Sequence, residues 1–417
     1  MPTALNRLVV ICSLIGASAT SLAVPLSAQT GTRPTASPSD SANDPISTMV
    51  GRLDLQRYKA TIKGLTKFGD RRQGTARNRA AVDWIEAQLK SYGCTPTARI
   101  TYDFQPPAPR TPPSAAALAA ALARRNGSEG SGGSRIRGNR MPIGVNTDSL
   151  AQPNATLRAL DTPPSVPGER QEVYCTKVGT THPGEMYIVG GHMDGIGWGE
   201  AANDDGSGTA LVMELARVFS APDVHTDRSI RFVLWNNEET GLNGARAYVA
   251  QRQALQGKED PAGSGKYPEP KWLGMIQHDM MMFDHGMPKP DSTMSKVQRP
   301  EADVNIEFQS ASKFAAGAQS LAWAFESANE KYATDYPASV GPHMTNTDSA
   351  PFQDLIPAIS LRENERGAQI GGGWDPQWHQ PTDLFSTYSD ADFRLGLNAA
   401  QTTLGAVAKL AGASLTR

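Results

Sequence analysis

From about residue 186 onward, short apolar runs alternate with longer amphipathic stretches, and this alternation leaves few folds open. Residues 186–189, 230–235, 273–277 and 358–361 are apolar runs of strand length. Between them, 207–219, 242–251 and 310–332 repeat their apolar side chains at helical spacing. In the first of these helices Leu211, Val212, Leu215, Val218 and Phe219 point inward. Phe393, Leu397, Ala400, Leu404, Val407 and Ala411 mark the inner stripe of a C-terminal helix, with Ser389 placed to cap it. Strand–helix alternation of this kind builds an α/β domain, here a mixed, mainly parallel central sheet with helices on both faces.

The preceding segment supplies an edge. A helix over 78–92 carries Ala81, Val82, Ile85 and Leu89 on one face and stops at Gly93. The alternating residues 98–104 read as a strand, and 172–178 reads as its partner. Between them, 105–170 is rich in Pro, Gly and Ala and is expected to be a surface insertion, either disordered or lid-like. Residues 45–417 are expected to form a single domain around that insertion.

The N-terminus has a different character. Arg7 precedes a short apolar core, and small residues follow up to Ala28. That pattern describes a secretory signal peptide over 1–28, and the Pro/Ser/Thr-rich residues 29–44 read as a disordered linker. Export to the periplasm or the cell exterior is the expectation. Cys94 and Cys175 remain in the mature chain, and their spacing leaves pairing open. The formal net charge is −2 with 20% charged residues. Such a balance offers no basic footprint for nucleic acid and no polybasic patch for a membrane. The N-terminal apolar run is too short for stable membrane insertion.

Open α/β sheets bind ligands at the carboxyl ends of their strands, and here those ends carry the chemistry. His192 follows 186–189, and Asp204 opens the next helix. Glu238 and Glu239 follow 230–235, Asp279 follows 273–277, and His379 lies beyond 358–361. Two imidazoles with this set of carboxylates form the borderline N/O set that suits zinc. Asp204 has two oxygens and can bridge two ions. Glu238 is then free to act as general base on a metal-bridging water and as acid toward a leaving amine. Asp194 is spaced to accept from the second ring nitrogen of His192, and Asp205 is placed to cap the helix at 207–219. His278 should point away from the metals, because side chains alternate along a strand. His182, His225, His285 and His343 have no partner pattern and read as surface residues.

The motifs "GGHMDG", "NDDGSGTA", "NNEETGLNGARAY", "QHDMM", "TNTDSAPF" and "WHQPTD" resemble those of the co-catalytic di-zinc aminopeptidases of the secreted bacterial leucyl-aminopeptidase type, together with their carboxypeptidase Q-like relatives. The resemblance runs from about Gln56 to the C-terminus, apart from 105–170. It implies a zinc-exopeptidase, phosphorylase/hydrolase-like fold and two Zn²⁺ ions per chain. One ion would have His192 and Asp279, the other Glu239 and His379, with Asp204 shared and Glu238 catalytic. It also implies peptide substrates with a free N-terminus. A carboxypeptidase or dipeptidase is an alternative on the same metal core. A glutaminyl cyclase-like acyltransferase would use one zinc, and a non-catalytic ectodomain would be expected to lack ligands or base.

The chain departs from the family in a longer loop at 253–270 and in Trp378, where some relatives place a Tyr before the last His. Met280, Asp348, Phe352 and Trp378 are candidates for the substrate pocket, with Trp374 a further wall. Asp383 reads as a turn or capping residue. The oligomeric state is left open.

Overall fold

The computed structural model describes residues 44–106, 145–284, 304–333, 335–342, 346–363 and 375–416. The expected signal peptide, almost all of the expected linker, residues 107–144 of the insertion, His285, His343 and Trp374 lie outside the described residues.

The strands are β1 (Thr97–Phe104), β2 (Gly168–Lys177), β3 (His182–His192), β4 (Val224–His225), β5 (Arg228–Trp235), β6 (Lys271–His278), β7 (Val304–Phe308), β8 (Ala338–Pro342), β9 (Ala358–Glu363) and β10 (Ser414–Leu415). The helices are α1 (Pro45–Val50), α2 (Leu55–Leu65), α3 (Ala76–Ser91), α4 (Ala155–Asp161), α5 (Gly206–Phe219), α6 (Asn243–Arg252), α7 (Ala315–Tyr332) and α8 (Asp390–Ala411). Eight strands form one sheet in the order β1-β2-β5-β3-β6-β9-β7-β8, and β4 and β10 form a small second ladder. The neighbours β5, β3, β6 and β9 are parallel, while β1, β2 and the β7–β9 pair add antiparallel ladders on either side. The α/β class and the mixed, mainly parallel sheet are therefore as the sequence indicates.

The apolar runs explain the centre. Val189, Ile230, Phe232, Leu234, Ile276 and Ile359 are fully buried and pack with α5 and α8 in one core. A second core on the other face gathers Trp235, Tyr248, Trp272 and Phe352. Each such side chain contributes roughly 1.5–3 kcal/mol by leaving water. Helix α5 can approach β3 closely because Gly191 has no side chain: a Cβ there would lie 2.8 Å from the Gly208 backbone. Cys94 and Cys175 are joined in a disulfide that ties the end of α3 to β2.

The short pair β4 and β10 was not anticipated, nor were β7 and β8 of the main sheet, although Val304, Ile306 and Phe308 alternate as a strand should. The second half of the insertion also differs from expectation. Beyond residue 144 it forms a strap containing a 3₁₀ turn, Ser149–Ala151, and α4, which Asn154 caps. It then runs straight into β2, four residues earlier than the expected start at 172. The strap is anchored at both ends. Gln152 Nε2 donates to the carbonyls of Trp198 (2.7 Å) and Pro381 (2.9 Å), and Asp161 Oδ1 accepts from Asp70 N at 3.2 Å. Pro- and Gly-rich composition had hidden these polar ties, which have no periodicity.

Loop 253–270 is folded rather than loose. Its buried Glu269 accepts from Tyr248 Oη (2.7 Å) and from Arg231. The loop contributes no described residue to the cleft below.

Candidate functional site

The carboxyl ends of β3 and β6 and the start of α5 are locked together by one buried side chain, Asp205. It caps α5 by accepting from Gly208 N at 2.8 Å, and it also accepts from His192 N (3.0 Å) and Met280 N (3.2 Å). The expected cap is there, and it also ties three segments to one carboxylate. Asp204, joined to it by a cis peptide bond, points the other way into the cleft.

The His192 ring is oriented by the backbone. Its Nδ1 donates to the Asp194 carbonyl at 3.0 Å, while the Asp194 carboxylate lies 3.9 Å away. The expected carboxylate–imidazole bond is thus replaced by one to the main chain two residues on, where the strand turns. The carboxylate serves the next strand end instead: Asp194 Oδ1 accepts from Glu238 N at 3.1 Å and holds the turn that carries both glutamates.

Four distances define the centre. Asp204 Oδ1 is 3.2 Å from His192 Nε2, which is itself 3.8 Å from Asp279 Oδ1. Asp204 Oδ2 is 3.0 Å from His379 Nε2, which is 2.9 Å from Glu239 Oε2. The two oxygens of one carboxylate therefore face two different imidazoles, each with its own further acid. His192, Asp204 and Glu239 each place a donor atom within 4.8 Å of the others, a separation that one ion can span. Glu239 Oε1 and His379 Nδ1 are buried without a hydrogen-bond partner among the described residues. A centre so rich in acceptors and so poor in donors, built from His, Asp and Glu, fits a cation of the zinc type.

Electrostatics follow from that crowding. Burial opposes charge on His379, but Glu239 and Asp204 overcome it and push the imidazole up to about 10. His192 is likewise driven well above its ordinary value by Asp205, Asp204 and Asp279 against the cost of burial. The two imidazoles hold Asp204 far below the usual carboxylate range despite burial. Burial and Asp204 raise Glu239 to about 7. Glu238 rises well above the carboxylate range through burial, with Glu239, Asp348 and Asp279 adding to it against His192. His278 points to the opposite face, as strand alternation requires. Its Nδ1 donates to Gly190 O (3.1 Å), Thr403 Oγ1 donates to its Nε2 (2.8 Å), and burial holds it down to about 4.

The cleft over this centre has a volume of about 370 Å³. Trp378 lines it and stacks on the His379 ring, with centroids 4.0 Å apart. Two expected pocket residues lie elsewhere. Met280 is buried with its main chain tied between Asp205 and Glu363, and Phe352 sits in the aromatic core against Trp235 and Trp272. Both are apolar side chains that the sheet claims for packing. Asp348 is fully buried, 3.5 Å from Gln277 Nε2, and does not line the cleft.

Sequence reasoning missed Arg362, whose Nη2 donates to Asp279 Oδ2 at 2.6 Å, because β9 runs two residues past its apolar part. It also missed Arg246 and Asn346 on the cleft wall. Asp383 was read as a turn residue but does more. It accepts from Asn203 N (2.8 Å), Asp204 N (3.1 Å) and Tyr388 Oη (3.0 Å), and so fastens the loop carrying His379 to the start of α5.

Residues 172–401, more than half of the chain, match Peptidase family M28. The chain belongs to that family. Over 237 residues this M28 chain is 25% identical to the probable lipoprotein aminopeptidase LpqL of Mycobacterium tuberculosis, covering 55% of this chain and 43% of that one. It thus spans less than half the length of that relative. Its fold is similar to that of BSAP, a zinc aminopeptidase from Bacillus subtilis, with a TM-score of 0.56 at 16% identity over 86% of this chain and 95% of the other. It is also similar to that of Porphyromonas gingivalis glutaminyl cyclase, with a TM-score of 0.53 at 16% identity over 86% of this chain and 99% of the other.

Proposed function

We propose that this protein is a zinc-dependent exopeptidase that hydrolyses the N-terminal bond of peptides. The observation that carries the reading is the division of Asp204, whose two oxygens face His192 and His379 at 3.2 and 3.0 Å. Two donor groups result. His192, Asp204 and Asp279 would hold one zinc ion, and His379, Asp204 and Glu239 a second. Bound there, zinc supplies a Lewis acid that polarises the scissile carbonyl and makes water more acidic.

The protein's own groups do the rest. Arg362 neutralises the outer oxygen of Asp279 and fixes its inner oxygen toward the centre. The Asp194 carboxylate sets the Glu238 main chain. Glu238 lines the cleft without being needed in either donor group. Its raised proton affinity suits a group that takes a proton from the attacking water and hands it to the departing amine. The carboxylate-rich floor suits a free ammonium on the substrate. Export through residues 1–28 is part of the proposal, and the Cys94–Cys175 disulfide supports it, since such bonds persist in oxidising compartments.

The test compares a leucyl peptide with its N-acetylated twin, using metal-stripped protein with and without Zn²⁺ and reading the products by mass. Zinc-dependent release of leucine from the unblocked peptide alone is expected. Cleavage of the blocked peptide from its other end would replace the reading with a carboxypeptidase. No hydrolysis of either would refute it.

A further inference from the structure

The cleft wall carries a cation, Arg246, that no acid among the described residues claims. Arg246 lines the cleft from the first turns of α6 and is exposed to it. Its Nε donates to the Gly241 carbonyl at 3.1 Å, which anchors the guanidinium by its inner nitrogen. Among the described residues no carboxylate pairs with its outer nitrogens. The contrast with Arg362 is instructive. That guanidinium is buried and committed to Asp279 at 2.6 Å. Arg246 stands in a site crowded with carboxylates, yet none among the described residues occupies its fork.

A tethered guanidinium whose outer nitrogens meet no carboxylate among the described residues matches a planar, bidentate acceptor. The acids on the floor are suited to the substrate's ammonium and scissile bond. A cleft of about 370 Å³ lies near the lower end of small-ligand pockets, so a short peptide's departing side would reach the wall. We propose that Arg246 is a specificity residue that binds a carboxylate on the leaving side of the scissile bond. Two sources share that chemistry: the C-terminal carboxylate of a di- or tripeptide, and an acidic side chain directly after the scissile bond. The inference rests on the exopeptidase reading above and deepens it to a substrate class.

Two matched pairs test it on the zinc-loaded protein. Leucyl-glycine against leucyl-glycinamide isolates the terminal carboxylate, and leucyl-glutamyl amide against leucyl-glutaminyl amide isolates the side chain. In at least one pair kcat/KM should favour the carboxylate by about 10- to 100-fold, the range of a charge-assisted hydrogen bond. Arg246→Gln should bring that ratio toward one, and Arg246→Lys, which keeps charge without the fork, should fall between. The pair that responds names the source. Equal rates within both pairs, or a preference that survives Arg246→Gln, would overturn the inference while leaving the exopeptidase intact. Hydrolysis of none of the four overturns both.

Discussion

The donor groups of the centre arrive by two routes, and the routes are held differently. His192, Asp204, Glu239 and Asp279 stand at or just beyond the ends of adjacent strands or at the start of α5. Main-chain geometry and the buried Asp205 fix these positions. His379 comes from a loop, and none of the described residues leading into it forms a strand. Side-chain acceptors and neighbours hold that loop: Asp383 to the start of α5, Asn146 N donating to the His379 carbonyl at 3.0 Å, and Gln152 to Pro381. Seen together, the strand-borne half is scaffold and the loop-borne half is a fitted part. Damage to the first should appear as lost stability, and damage to the second as lost metal.

The largest effect is expected at Glu238, on the strand-borne side. Glu238→Gln should lower kcat by about 10²–10⁴-fold, the range of general acid–base catalysis, with bound zinc measured by atomic absorption unchanged. Retained activity would remove Glu238 as the base. Matched substitutions at the two fastening carboxylates then probe the comparison directly. Asp383→Asn should weaken zinc binding by about 10–100-fold in a chelator competition, as for groups that orient ligands, beyond the stability lost where the Asn203 or Asp204 N–H misses its acceptor. Asp205→Asn should instead cost about 1–3 kcal/mol in denaturant unfolding, because a buried N–H loses its acceptor. If the two variants exchanged these phenotypes, the division into scaffold and fitted part would be wrong.

The strap should give smaller effects. Gln152→Ala removes two donations to main-chain carbonyls and should cost about 1 kcal/mol, read as faster hydrogen exchange confined to the strap and the Pro381 region. Asp161 supplies a pH test. Burial and the neighbouring Asp70 push its carboxyl up to about 7 against the pull of Arg77. The folded strap therefore binds a proton more tightly than the unfolded chain does. Its contribution is fully present below the ordinary carboxylate value and is lost as pH rises from about 4 to 7. Asp161→Asn, neutral throughout, should remove that slope from a melting-temperature series.

The same division explains what was readable beforehand. Strand-end residues were legible because an apolar run and the charged residue after it sit side by side in sequence, as at Trp235 and Glu238. His379 was placed beyond the run 358–361 and given its role by motif resemblance, but it stands well past the end of β9 at Glu363. The strap, the fastening role of Asp383 and the Arg362–Asp279 pair were not legible. Each depends on partners far away in the chain: 83 residues separate Arg362 from Asp279, and 179 separate Asp383 from Asp204. Polar ties of this kind leave no period. Met280 and Phe352 were misplaced for the converse reason, since an apolar side chain near a site looks the same whether a ligand or the core uses it.

The stacking of Trp378 on His379, at 4.0 Å and 27°, gives the loop-borne half an optical label. An indole lying on an imidazole senses whether that ring is cationic, neutral or bound to metal through its emission. The difference in tryptophan fluorescence between the natural protein and Trp378→Phe, followed during zinc titration, should report filling of the His379 side alone. Occupancy of the two halves could then be told apart in solution without a substrate.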